Sequence, residues 1–165
     1  MNPLRHAFRL VAIYVIAAAT TAHAFSALAG DHRYRVDNPA YVQECASCHV
    51  AYPPQLLSQA SWRAVMGGLD RHFGTDASVE TAQRAQILAF LTSNAGNRDT
   101  SANGKPLLRI SETPWFLKEH RKEIAAGSVR RDDVKSIANC GACHRQAEQF
   151  DYSKPGLQVP GGRAR

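Results

Sequence analysis

Two pentapeptides in this chain carry its chemistry: Cys45-Ala46-Ser47-Cys48-His49 and Cys140-Gly141-Ala142-Cys143-His144. Together they hold all 4 cysteines of the 165 residues. Two thiols separated by two residues reach the two vinyl groups of one porphyrin from a single turn of chain. A histidine directly after the second thiol then falls beneath the iron as its proximal ligand. The first site is therefore read as Cys45, Cys48 and His49, the second as Cys140, Cys143 and His144, and the cofactor as two covalently attached haem c groups. A four-cysteine zinc site would need the pairs close together, but Cys48 and Cys140 lie 92 positions apart, and both histidines would go unexplained. A redox dithiol of the thioredoxin kind needs a βαβ setting that the sequence lacks. A disulfide framework gives no reason for histidine to follow each pair.

The sixth iron ligand decides what such a protein does, because an open iron binds small molecules and a closed one favours plain electron transfer. Apart from the leader and the two proximal positions, His32, His72 and His120 remain. His72 and His120 each fall on the apolar face of an expected helix, where an imidazole without a partner is costly to bury. The competing explanation for each is a core histidine satisfied by backbone. His32 stands in a polar segment and reads as solvated. Met66, in an apolar stripe beside Val65, reads as core packing. His72 follows His49 by 23 positions and His120 precedes His144 by 24, a mirrored arrangement.

The elements that must position these groups read as short helices. Residues 30–36 form a polar arm. Pro53-Pro54 stops any helix after the first motif. Ser61 is expected to cap a helix with Trp62, Val65, Leu69 and His72 on one face, closed by Gly74. Asp76 is expected to cap the next, with Val79, Ile87, Phe90 and Leu91 inward and Asn94 to Gly96 as its stop. Residues 97–106 are a polar connector dividing two lobes, roughly 30–98 and 105–165. Thr113 with Pro114 begins another helix, with Phe116, His120 and Ile124 sharing a face and Gly127 at its end. Asp132 or Asp133 is expected to open a last helix, its Val134, Ile137 and Ala138 leading into the second motif. Alternating β-type runs are absent. The fold class is mainly α, with short helices and long loops wrapped around the two haems as in cytochrome c.

Residues 1–24 have the layout of a secretory signal peptide. Arg5 and Arg9 precede the apolar run Leu10–Ala19, and Ala22-His23-Ala24 offers a cleavage site, with a second cut possible after Ala29. That run is too short to span a bilayer, so residues 25–165 are expected to be periplasmic without stable membrane insertion. Losing two arginines lowers the formal charge from +6 to about +4, and no nucleic-acid motif accompanies the basic balance. Arg130-Arg131 and the tail from Gly161 to Arg165 read as solvated charge.

The runs CASCHVAYPPQLLSQASWRAVMGGLDRHFGTDAS, TPWFLKEHRKEI and ANCGACHRQAEQ closely resemble the exported di-haem cytochrome c family called DHC. The resemblance extends over nearly all of residues 38–160. It implies a non-enzymatic electron carrier with two six-coordinate haems, His49 paired with His72 and His144 with His120. It also implies redox partners such as a monohaem oxygen-binding cytochrome and a membrane b-type cytochrome. Two other readings stay open: a haem enzyme or sensor with one open iron, and the electron-input subunit of a periplasmic reductase.

Overall fold

A computed structural model describes residues 32–161. The expected leader with its two candidate cleavage sites, and the tail beyond Gly161, lie outside the described residues. Among the described residues no helix is long and apolar enough to cross a membrane.

The first helix, α1, spans Pro39–Cys45 and ends on the first cysteine. Its sequence signal is Asn38-Pro39: the Asn38 side chain accepts from Tyr41 N at 2.9 Å, and proline occupies a position whose N–H would be unpaired. After the motif, Pro53-Pro54 turns the chain through a single 3₁₀ turn at Pro54–Leu56. Helix α2 follows at Gln59–Gly67. Its cap is Ser58, not Ser61; the Ser58 hydroxyl accepts from Ser61 N. Ser61 is instead fully buried, hydrogen-bonded to the Thr100 hydroxyl at 2.8 Å. The expected continuation to His72 does not form. Gly67-Gly68 ends α2, and one 3₁₀ turn at Leu69–Arg71 leads to His72 in extended conformation.

Helix α3 covers Thr81–Ser93, capped by Glu80 rather than Asp76; the Glu80 carboxylate accepts from Ala82 N and Gln83 N. Asp76 instead closes a local turn onto Ser78 N at 2.9 Å. Ile87 and Leu91 are buried as expected, and Asn94 ends the helix. α3 packs on α2, and between them lies the core of Tyr41, Leu57, Trp62, Met66, Ile87 and Leu91. Where the chain leaves α3, Gly96 N donates to Leu57 O at 2.9 Å, close enough that a Cβ on Gly96 would collide with the Gln55 carbonyl oxygen.

The polar connector is tied down rather than loose. Thr100 is buried against Ser58 and Ser61. Beyond it the chain makes an antiparallel hairpin, β1 (Ser101–Ala102) with β2 (Lys105–Pro106). Asn103 and Gly104 both have positive φ, the turn that suits the twist of a two-residue hairpin loop. Strands of two residues are too short to show an alternating run, so the sequence pattern did not reveal this hairpin.

Helix α4 runs Pro114–Glu119, with Pro114 at its first position as expected. The Thr113 hydroxyl does not cap it but donates to Ile110 O at 2.7 Å. The helix breaks at His120 and resumes as α5 at Arg121–Ala125, closed by Gly127 at φ 73°. His120 sends both its backbone N–H and its ring Nδ1 to the Phe116 carbonyl, a local competition that bends helices. The helix expected after Asp132 is absent. Arg131 pairs with Asp133 at 2.9 Å, Lys135 takes φ 65°, and Asn139 donates to Val134 O, so side chains claim the groups a helix would use. Val134 is buried nonetheless.

The arm at 32–34 is also held. Tyr34 N donates to Phe150 O and Tyr152 N to His32 O, both at 2.9 Å, around an Arg33–Asp151 ion pair of 3.0 Å. Gly96→Ala should cost about 1–3 kcal/mol, since backbone must move to admit the methyl. Urea unfolding should show this as a lower midpoint with an unchanged slope.

Candidate functional site

The first motif begins as α1 ends, so Cys45 stands on helix and Cys48 and His49 on the loop after it. The loop is braced by Ser47, whose hydroxyl donates to Glu44 O at 2.9 Å. The His49 ring nitrogen Nδ1 lies 2.7 Å from Val50 O. A carbonyl only accepts, so Nδ1 carries the proton and the lone pair is at Nε2, the form that ligates metal.

Facing it is His72, presented by a tight turn rather than by a helix face. Thr75 N returns to His72 O at 3.0 Å and Ala77 N to Leu69 O at 2.8 Å, with Phe73 at φ 50° and Gly74 at φ 97° between them. A bulky residue at positive φ is uncommon and strained; here the turn sets Phe73 edge-on against His72 at 4.7 Å. The Arg109 guanidinium sits 3.9 Å over the Phe73 ring. Burial, then the neighbouring His49 and Arg109, holds the His72 imidazole below its ordinary pKa, favouring the neutral ring.

His49 and His72 face one another with ring centres 6.3 Å apart and planes 22° off parallel. His120 and His144 stand 6.2 Å apart with planes at 70°. A metal–imidazole bond of about 2 Å, plus about 1 Å from nitrogen to ring centre on each side, gives about 6 Å for two imidazoles on opposite faces of one ion. Both pairs match that span.

The second motif folds as a 3₁₀ turn, Cys140–Ala142, with His144 N closing onto Cys140 O at 2.8 Å. The chain beyond it folds back over the motif: Gln158 N donates to Cys143 O and Arg145 N to Gly156 O. His144 packs against Tyr152 at 5.2 Å and is held below its ordinary pKa by burial, then by His120 and His32. His120 Nδ1 is committed to Phe116 O at 3.0 Å, which again leaves Nε2 for a metal. His32 is exposed, as expected. Met66 is buried in the core with Trp62, Ile87 and Leu91.

A cavity of about 580 Å³, in the range of small-molecule sites, is lined by Cys45, Cys48, His49, His72, Phe116 and Cys140 among others. It thus touches residues of both motifs. Burial pushes the Cys45 and Cys140 thiols up to about 11, as expected of sulfurs on an apolar wall. None of the four cysteines is in a disulfide. Buried atoms without protein partners include Trp115 Nε1, His144 Nδ1 and the Tyr152 hydroxyl. A bound group carrying acceptors would satisfy the first and last of these. The donor set, the spacing of both imidazole pairs and the apolar wall fit haem.

The profile of the family described as Dihaem cytochrome c, DHC, matches residues 41–152. The chain belongs to that family. Among solved structures, it is similar to the diheme cytochrome c from Rhodobacter sphaeroides, with 37% identity, TM-score 0.65, and coverage of 72% of this chain and 99% of that one. A structure of DHC purified from the same organism gives 40% identity, TM-score 0.58, and coverage of 71% and 98%. The diheme cytochrome type c of Shewanella baltica OS155 gives 33% identity, TM-score 0.64, and coverage of 75% and 94%. No curated protein matches. As a dihaem cytochrome c, the chain carries two covalently attached haem c groups and serves haem-based electron transfer.

Site residues that sequence spacing did not indicate are Tyr52, stacked on His49 at 4.8 Å, and Tyr152, Phe73 and Arg109. Tyr52 had a signal in retrospect, an aromatic three positions past His49 and locked by the two prolines after it. Arg109 had none, because it reaches the first site from a segment distant in sequence.

The purified protein should retain two haems through acid–acetone extraction, with a mass equal to the polypeptide plus two haem groups. Replacing Cys140 and Cys143 together by alanine should reduce this to one covalent haem; a mass still carrying two would place attachment elsewhere.

Proposed function

We propose that this chain is an exported, periplasmic one-electron carrier in which each haem is held by two histidines. On this reading Cys45, Cys48 and His49 with His72 hold the first haem, within residues 30–98. Cys140, Cys143 and His144 with His120 hold the second, within 105–165. The observation that carries the reading is the pair of imidazole separations, 6.3 and 6.2 Å. Each separation agrees with the span of about 6 Å expected for two imidazoles on one metal ion. When bound, haem supplies the ferric–ferrous couple; the protein supplies four imidazoles, the thiols for attachment, and an apolar wall.

Two histidines donate more to iron than histidine with methionine, so both potentials should lie well below those of a methionine-ligated cytochrome c. Electron-transfer encounters are small and transient, which suits redox partners met in passing, such as a monohaem oxygen-binding cytochrome and a membrane b-type cytochrome. No enzymatic step is part of this reading.

Carbon monoxide tests it. The reduced wild-type protein should bind it slowly or not at all. His72→Ala and His120→Ala should each leave two covalent haems yet open one iron to rapid, stoichiometric binding. Met66→Leu should leave the spectrum unchanged. Rapid binding by the unmodified protein would replace the carrier reading with that of a ligand-binding haem enzyme or sensor.

The ring planes give an independent test. Near-parallel imidazoles at 22° and near-perpendicular ones at 70° split the iron d orbitals differently. Electron paramagnetic resonance of the oxidised protein should therefore show two low-spin signals, one rhombic and one strongly anisotropic, and His72→Ala should remove the rhombic one. Two identical signals would contradict the geometry.

A further inference from the structure

Tyr52 touches both sites at once. Its ring lies on His49, centres 4.8 Å apart and planes 23° off parallel. Its hydroxyl crosses to the other motif and donates to Ala138 O at 2.9 Å, 86 positions away. The Cys140 sulfur lies 3.6 Å from that same Ala138 oxygen, so the hydroxyl ends where the second motif begins. The Tyr52 carbonyl in turn accepts from the Tyr41 hydroxyl, and Tyr41 is buried in the core. Pro53 and Pro54, both buried, follow directly and restrict the backbone. Burial pushes the Tyr52 phenol up to about 12, so it stays a donor. His49, Tyr52, Ala138 and Cys140 all line the cavity of about 580 Å³.

We propose that Tyr52 is the positioning residue that couples the two haem sites, its ring fixing the plane of His49 and its hydroxyl fixing the distance to the segment entering Cys140. This rests on the two-haem, His49-ligated reading above. The function it serves is internal electron exchange, in which one iron passes from ferrous to ferric as the other passes from ferric to ferrous, with no proton and no outside reductant. The side chain acts through its contacts. A ring loosened from His49, or a hydroxyl detached from Ala138, alters the relative placement of the two sites without removing any ligand.

Tyr52→Phe keeps the ring and deletes the hydrogen bond; Tyr52→Leu deletes both. The experiment uses the full two-haem protein, reduced by one electron with a photochemical donor, and follows redistribution between the haems by transient absorption. Haem content by mass and low-spin spectra serve as controls. Tyr52→Phe should slow redistribution severalfold while leaving the rhombic resonance signal near its wild-type position. Tyr52→Leu should slow it further and shift that signal, because the His49 ring loses its stacking partner; the perpendicular pair's signal should stay fixed. A role confined to stability would lower the unfolding midpoint and move neither readout. Unchanged redistribution in a fully loaded, low-spin Tyr52→Phe protein would overturn the proposal and leave the ligation reading standing. A wild-type protein with one high-spin haem would overturn both. Should Tyr52→Leu fail to fold, the phenylalanine variant decides alone.

Discussion

Two imidazoles must face each other across about 6 Å, and the backbone on each side must be stiff enough to keep them there. That constraint organises the molecule more than any helix does. On the attachment side, each histidine is fixed by the cysteine next to it and by the turn that holds the pair. On the opposite side the chain uses two different devices. His72 stands on a turn in which Phe73 and Gly74 both take positive φ, and His120 stands at a break between α4 and α5. The devices deliver the same span with different ring orientations, 22° in one pair and 70° in the other.

The two halves also differ in how they exclude water. The core cluster of Tyr41, Leu57, Trp62, Met66, Ile87 and Leu91 belongs wholly to the first half. Among the described residues after Thr100, the buried apolar side chains are Phe116, Val134, Ala142 and Ala147, two of them alanines. Helices α4 and α5, of 6 and 5 residues, are too short to persist alone. The second half therefore has few side chains of its own to form a core, while the core side chains of the first half also line the cavity beside its motif.

Much of this was legible in the residues. The two motifs named their own chemistry, Pro114 marked a helix start, Ile87 and Leu91 marked a buried face, and Asn94 marked a stop. What periodicity missed was decided by competition between local and distant partners. Trp62, Val65, Leu69 and His72 have helical spacing, yet Gly67-Gly68 interrupts the helix and hands His72 to a turn. Asp132 and Asp133 look like caps, yet Asp133 is taken by Arg131. Asn103-Gly104 was a readable hairpin signal, and only the brevity of the strands hid it. Arg109 reaches Phe73, the Tyr52 hydroxyl reaches Ala138 and Tyr152 meets Tyr34 across large sequence separations, and no local window contains those pairs.

The pairing of residues 32–34 with 150–152 has a consequence for how the chain folds. It closes a loop of 118 positions between Arg33 and Asp151, and the tyrosine that leans on His144 sits at the closing seam. Contacts so distant along the sequence form late, because the entropy of closing the loop must be met before they contribute. The Tyr152 side of the second site thus rests on a seam that only a distant arm can close, whereas the chain at 156–158 covers the same motif through contacts near in sequence.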